Sequence, residues 1–584
     1  MILKALYDFY LRDKDSVPEG WMKCDLSYLI VIDENGLFKN RIRSLEGEEK
    51  TRFVPAGNHT NSVTPQLMWD NVMYVLDYIK DKETLPKETV EKAHKKHLAF
   101  VDRCRETAKR LNNPYIDAVV SFYEKGELAK VYEHELWNKV KNSKGNISFQ
   151  VNIGDEDVLV ATIPELVQPK SDENAVLGRC LITGETGELV RVGTPTPITG
   201  CKNSAKLVSF QKNSGFDSYG KEQGYNAPIS KRAEFAFSSA LKKLTERGSK
   251  HNVVFVFGNK KKRDFSKNRT YIFWAAANNS EIASAIEEGV SLVLKPNRRV
   301  DLVQNVFKGI WDEKNLHVQR EDRFYIAGLA GVSGRISVVY WNECGLDELS
   351  KNILKHYSDM LIGTEESNDT KPYRGLYQIL AAVTLDGNIE NCPQNLSEAT
   401  LKSIIEGKAY PESLYQACIR RLLSETDSQD KRKWKVTKAR ISILKAFLNR
   451  NINNSNNLKI EPMLDKDNTN PGYLCGRLFA VIDRIQEIVN KQNTIRNRYM
   501  NAASSTPVTV FPTILNLSNH HSEKLEVSKK FFDDLKGEII SKIGEDGFLP
   551  QFDLQDQGRF FIGYYHQRQA LITSNRNNTE KTNS

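Results

Sequence analysis

Hydrophobic and polar positions follow different rhythms in the two halves of this chain. Near the start, Leu29-Ile30-Val31-Ile32 is a β-rich run, and Asn35-Gly36 follows it. That dipeptide accepts the positive φ of a tight hairpin turn, so a hairpin is predicted. From about 77 to 111 the sequence becomes charged and helical in character. Val253-Val254-Phe255-Val256-Phe257 and Tyr271-Ile272-Phe273-Trp274-Ala275 read as short buried strands. Phe324-Tyr325-Ile326 and Ile336-Ser337-Val338-Val339-Tyr340 flank a turn from Gly331 to Gly334, which predicts a second hairpin. After about Leu346 the strand-like runs thin out and helical periodicity takes over. The Asn-rich stretch 449–457 reads as a linker. Beyond it Leu474, Leu478, Val481, Ile485 and Ile488 make one apolar stripe along a helix, as in a bundle. Phe532, Leu535, Ile539 and Ile543 repeat that logic, and the tail from Ser574 is polar. The predicted class is α+β. A large mixed region with antiparallel sheets covers 1–345, a helical connector covers 346–462, and an all-α bundle covers 463–584.

Charge changes this picture only modestly. A net charge of +9 over 584 residues permits an anionic partner without demanding one. Cysteines at 24, 104, 180, 201, 344, 392, 418 and 475 form no Cys-x-x-Cys pair, which argues against a zinc ribbon or a thioredoxin-like motif. Their wide spacing fits reduced thiols. The first residues lack a long apolar run, and nowhere does one approach the ~20 residues that span a bilayer. A cytoplasmic chain with no membrane partner is expected.

Candidate chemistry is sparse. His94 and His97 share a helix face, but Lys95 and Lys96 would repel a metal ion. Gly215 to Glu222 nearly matches a phosphate-binding loop. Glu222 stands where a hydroxyl should hold magnesium, and Pro228 opposes the long helix whose N-terminus would cradle phosphate. The wider stretch from Lys202 to Asn226 carries Lys202, Asn203, Ser204, Lys206, Lys212, Tyr219, Lys221 and Gln223. Lysines neutralise phosphates, amides read base edges and tyrosines stack on bases. Composition leaves two readings open, a nucleic-acid-facing loop and a solvent loop. Asn71, in Trp69-Asp70-Asn71, likewise suits either a contact to a base edge or a helix N-cap. No Gly-x-Ser-x-Gly elbow and no His-Asp doublet suited to a metal nuclease is present. The expectation is a protein without catalytic residues, metal or cofactor.

Several short motifs occur in one order along nearly the whole chain. They are Trp69-Asp70-Asn71, Cys180-Leu181-Ile182-Thr183-Gly184-Glu185, Leu207-Val208-Ser209-Phe210, Ser218-Tyr219-Gly220-Lys221-Glu222-Gln223, Asn226-Ala227-Pro228-Ile229-Ser230, Gly476-Arg477-Leu478-Phe479-Ala480 and Gly563-Tyr564-Tyr565-His566-Gln567. In this the chain resembles the large subunit of the type I-C CRISPR surveillance complex, Cascade. The resemblance implies a non-catalytic subunit at one end of a crRNA-bound assembly. Such a subunit recognises the protospacer-adjacent motif in duplex DNA, helps open the strands and stabilise the R-loop, and holds displaced single strand. It works beside backbone and crRNA-processing subunits and docks a helicase–nuclease that acts in trans. Guide pairing reads the sequence, while protein reads the short motif and the backbone. On this reading Asn71 and the stretch from Lys202 to Gln223 meet the motif-bearing duplex. The basic loop Lys260-Lys261-Lys262-Arg263, with Arg298 and Arg299, contacts phosphates of target or displaced strand. The resemblance also implies a small helical subunit made from the same gene at an internal start, for which Met463 is the candidate. The alternative is a nuclease or nucleotide hydrolase acting on its own.

Overall fold

A computed structural model of the chain describes residues 1–13, 15–56, 63–80, 83–167, 175–213, 215, 220–257, 268–276, 280–294, 322–363, 375–425, 435–451, 459–490, 494–525, 528–545 and 547–582. The class is α+β, with sheets in the N-terminal half and helices in the C-terminal region. Two compact units divide the chain. One comprises 6–192 with 211–240, and the other comprises 1–5, 193–210 and 241–584.

The first unit is built on β1 (Trp21–Asp33), whose partners are β2 (Phe38–Ser44), β3 (Thr51–Pro55) and, in parallel, β5 (Asn146–Ile153). β4 (Trp69–Asn71) and β6 (Glu156–Leu159) flank β5 in antiparallel register. The expected first hairpin is β1–β2. Gly36 turns it with φ +77°, and its amide donates to the Asp33 carbonyl at 3.0 Å. A Cβ on Gly36 would sit 2.6 Å from the Ala118 carbonyl oxygen, so the turn also packs against helix backbone. That helix is α2 (Pro114–Glu124), preceded by α1 (Lys87–Leu111). Leu29, Ile30, Ile32, Phe149 and Val151 share one buried cluster with Phe100, Cys104, Ile116, Val119 and Phe122. The charged stretch from 77 is not helical throughout. α1 starts only after Pro86, which has extended-region ψ and caps it, because proline suits the entry to a helix rather than its interior. A small hairpin of β7 (Leu177–Arg179) and β8 (Thr186–Glu188) completes the strands of this unit.

In the second unit four strands run in the order β10 (Asn252–Phe255), β11 (Arg269–Ala276), β12 (Arg323–Gly345) and β9 (Cys201–Lys206). The β9–β12 pairing is parallel and the other two are antiparallel. The second predicted hairpin lies within β12. The chain turns at Ser333, φ 55°, and the rings of Tyr325 and Trp341 stack at 5.9 Å. Gly328 leaves room for the facing arm, since a Cβ there would lie 3.0 Å from the Tyr340 Cβ.

From Leu346 the chain is helical. α3 (Leu346–Met360), α4 (Lys438–Arg450), α5 (Pro471–Asn490), α6 (Thr494–Ala503), α7 (Pro507–Ser522), α8 (Lys529–Ser541) and α9 (Leu554–Thr582) are its principal elements. α4 runs into the Asn-rich stretch. Asn449 closes it by exchanging two 2.9 Å hydrogen bonds with the backbone of Ile460.

Four positions of the expected apolar stripe of α5, Leu474, Leu478, Val481 and Ile485, are fully enclosed, whereas its last, Ile488, is exposed near the helix end. Its other contact is backbone on backbone. A Cβ on Gly472 would meet the Asp556 carbonyl oxygen, one on Gly476 the Phe560 carbonyl oxygen, and one on Gly563 the Tyr473 carbonyl oxygen. α5 and α9 therefore touch through three glycines. Buried charges fill the rest of the crossing. Asp483 Oδ2, 0 % exposed, accepts from Tyr564 Oη at 2.8 Å and from Arg568 Nη1 at 2.9 Å. Arg496 Nη1 lies 3.8 Å from the same oxygen. Burial pushes the Asp483 carboxyl up from the ordinary carboxylate range, against the pull of Arg496 and Arg568. Arg477 donates to Gln567 at 3.0 Å, to Glu538 at 3.2 Å and to the Lys466 carbonyl at 3.2 Å.

A valine at 476 cannot be seated without moving backbone. Gly476→Val should lower apparent stability by about 1–3 kcal/mol or more, the usual range for overpacking. Gly537→Ala, where a Cβ meets open space, should stabilise by up to about 1 kcal/mol through helix propensity. Thermal scans of the two variants check the contrast, and an unperturbed Gly476→Val would refute the close crossing.

Candidate nucleic-acid interface

The residues expected to meet nucleic acid divide between the two units. Lys202, Asn203, Ser204 and Lys206 lie on β9 in one, whereas Asn71, Lys212, Lys221 and Gln223 belong to the other. Tyr219, Lys260, Lys261, Lys262, Arg263, Arg298 and Arg299 lie outside the described residues.

β9 is held at the sheet edge by parallel pairing with β12, Cys201 opposite Ser333 and Lys206 opposite Arg335. Its Ala205 is fully buried, and the Ala205 carbonyl accepts from the Thr196 amide at 2.8 Å. Gly331 lets the strand approach, because a Cβ there would sit 2.7 Å from Cys201 Sγ. Consecutive residues Lys202, Asn203 and Ser204 are all exposed, and Lys206 is half-buried. No described carboxylate pairs with Lys202 or Lys206. Arg335 joins these cations in register. Sequence reading missed it, although it stands one residue past the glycine turn.

The near-match to a phosphate loop is built differently. Glu222 Oε1 forms an ion pair with Lys212 Nζ at 2.7 Å and lies 3.6 Å from Arg191 Nη1. Gln223 Oε1 accepts from the same guanidinium at 2.5 Å, and the Gly224 amide donates to the Arg191 carbonyl at 3.0 Å. A Cβ on Gly224 would lie 2.5 Å from the Val190 carbonyl oxygen, so the loop is laid directly on that strand-like segment. Asn226 Nδ2 closes it by donating to the carbonyls of Lys221 and Gln223, both at 3.0 Å. A short 3-10 turn, Gln223–Asn226, takes the place of an α-helix N-terminus. Lys212 and Gln223 are thus engaged within the chain, while Lys221 projects exposed. Arg191, 32 residues from Gln223, gave no signal in the sequence.

The Cys180-Leu181-Ile182-Thr183-Gly184 motif forms a tight knuckle. The Gly184 amide donates to the Cys180 carbonyl at 2.9 Å with φ +75°. Burial opposes ionisation of the Cys180 thiol, but hydrogen bonds from Ser230, Thr183 and Ile182 bring its pKa down to about 7. All eight cysteines are free.

His94 and His97 do not converge. His94 Nδ1 pairs with Asp77 at 2.9 Å, and buried His97 Nδ1 meets the Tyr74 carbonyl at 2.8 Å. Among the described residues no group of three or more His, Cys, Asp or Glu side chains could hold a metal ion. No described helix is long and apolar enough to cross a membrane. Met463 is 52 % exposed and lies at a bend in the non-helical segment before α5.

The segment that follows the edge strand, the polar loop and the glycine-backed helix crossing carry most of the ordered motifs described above. The family model described as CRISPR-associated protein (Cas_Csd1) matches residues 3–572. The chain belongs to this family of CRISPR-associated proteins, which places it in antiviral defence. No curated protein matches it.

Asn71 caps the short helix Val72–Val75. Its Oδ1 accepts from the Met73 amide at 3.0 Å, and its Nδ2 donates to Asp70 at 3.1 Å. Asn71→Ala should therefore cost about 0.5–2 kcal/mol, and Asn71→Asp should retain the cap. Thermal denaturation of both variants checks this. Equal stability of the alanine variant and the parent would remove the capping role.

Proposed function

We propose that this chain is the non-catalytic large subunit of a type I-C RNA-guided surveillance complex. It recognises the protospacer-adjacent motif in duplex DNA, promotes strand opening, stabilises the R-loop and docks a helicase–nuclease supplied in trans. Its partners are the crRNA-bound Cascade backbone, the crRNA-processing subunits and a small helical subunit from the same gene. The observation that carries this reading is a family match running from residue 3 to residue 572, joined to the ordered motifs of the large subunit. The edge strand β9 supports it, since Lys202 and Lys206 have no carboxylate among the described residues to satisfy them. Such lysines release counterions when they meet phosphates and add salt-dependent, sequence-neutral affinity.

Gel shifts of the assembled complex on targets with and without the adjacent motif test the reading. The complex should prefer the motif-bearing target, and Lys202→Ala with Lys206→Ala should weaken both shifts alike. Equal shifts on both targets would refute motif recognition. DNA cleavage or phosphate release by the purified chain with magnesium or manganese would favour the rival enzyme.

The internal start at Met463 is part of the same proposal. The partners given above for Arg477, Asp483, Arg496 and Arg568 lie within 463–584. A product beginning there retains the charge network and both helices of the crossing. Met463→Leu should abolish a small co-purifying band, and persistence of that band would sink the idea.

A further inference from the structure

A cavity of about 540 Å³ opens in the unit that carries Asn71. One wall is a face of α1, on which Arg103, Glu106, Thr107 and Arg110 follow one another at helical spacing. The opposite walls include Gly20, Pro55, Ala56 and Leu67. Leu67 stands two residues before β4, so the cavity adjoins the segment that leads to Asn71. One residue earlier is Gln66, 4 % exposed, whose Oε1 has no partner.

The guanidinium of Arg103 is the feature that needs explaining. It is half-buried, and it donates to the Pro65 carbonyl oxygen. Among the described residues it has no ion pair within 4 Å, and neither has Arg110. Burial lowers the Arg103 pKa from its ordinary value, with Cys104, Glu106 and Asp70 opposing that shift from a distance. An isolated cation taken partly out of water is costly unless an anion meets it. A guanidinium presents its donors as a planar fork that matches phosphate oxygens bidentately. Gly20 lets Val167 close against it to complete the opposite wall, because a Cβ there would lie 2.3 Å from Val167 Cγ1.

We propose that this cavity is a phosphate-oxyanion site, in which Arg103 and Arg110 grip a backbone phosphate of bound nucleic acid. The identity of the ligand rests on the nucleic-acid reading above, whereas the anion site itself does not. Thr107 supplies no free donor in this arrangement, as its hydroxyl donates to the Arg103 carbonyl at 2.8 Å. Glu106 is the one carboxylate on the rim, and it opposes an incoming anion.

The experiment uses the full chain with two probes, a fluorescent 20-base-pair duplex read by anisotropy and inorganic pyrophosphate read by thermal shift. Arg110→Gln is exposed and should fold normally, and Arg103→Lys preserves charge while removing the fork. Both should weaken duplex binding about tenfold, as expected for a charge-assisted contact. Arg110→Gln should also reduce the slope of log K against log salt by about 0.9 per lost phosphate contact. Glu106→Gln should tighten both probes, a gain that misfolding cannot produce. If the duplex binds and depends on Lys202 and Lys206, while the Arg103, Arg110 and Glu106 variants leave it unchanged, the cavity site is overturned and the nucleic-acid reading stands. If the duplex fails to bind but pyrophosphate binds with the expected variant dependence, the anion site stands and a free phosphate compound is its ligand. Failure of both probes, or binding indifferent to all three variants, overturns it.

Discussion

The contact on which the helical region depends is the backbone approach of α5 and α9. Three glycines remove every side chain that would hold the helices apart, and the carbonyl oxygens of Asp556, Phe560 and Tyr473 occupy the space a Cβ would take. Helices this close leave no room for a water layer at their crossing. Charged groups flanking it must then be satisfied by protein alone. Asp483 meets Tyr564, Arg568 and Arg496, and Arg477 meets Gln567, Glu538 and a carbonyl. The two features are conditional on each other. A bulky residue at 476 would admit solvent to the network, and loss of one ion would leave its partner charged and buried, a state that costs about 3–5 kcal/mol.

This coupling explains why two of the resemblance motifs, far apart in the chain, share a physical cause. Gly476-Arg477 and Gly563-Tyr564 each place a contact glycine next to a residue of the buried polar network. At these atoms both segments are enclosed by the protein's own backbone and side chains. Their residue types are set by packing, so they report the family without marking the place where nucleic acid would bind.

Local rules made much of the fold legible. The Asn35-Gly36 turn, the hairpin around Ser333, the change to helices near Leu346 and the stripe on α5 follow from turn chemistry and periodicity over a few residues. Pairings between distant segments left no such trace. β1 runs parallel to β5 across more than a hundred residues, and β9 meets β12 at a similar remove. Pro86 moved the start of α1, which a composition-based reading of 77–111 overran. At the candidate interface, residue type identified donors but could not say which were already used. Asn71 was open between cap and contact, and the Met73 amide fills its acceptor. Arg103 drew no notice, since the emptiness of the cavity beside it is a property of segments 20, 55, 67 and 103 brought together.

That distinction between used and unused donors orders the basic residues of the interface. A lysine already held by a carboxylate has to give up that pair before it can neutralise a phosphate, and the exchange returns little free energy. Lys212 is in this position with Glu222 at 2.7 Å. Exposed pairs of this kind are worth about 0–1 kcal/mol, so the pair can open, but its net contribution to binding shrinks by that amount. Lys202 and Lys206 face no such competition among the described residues, and Arg335 lies beside Lys206 in register. On the function proposed above, a phosphate backbone would meet Lys202 and Lys206 without first breaking an ion pair, so β9 would gain more from it than the loop around Glu222.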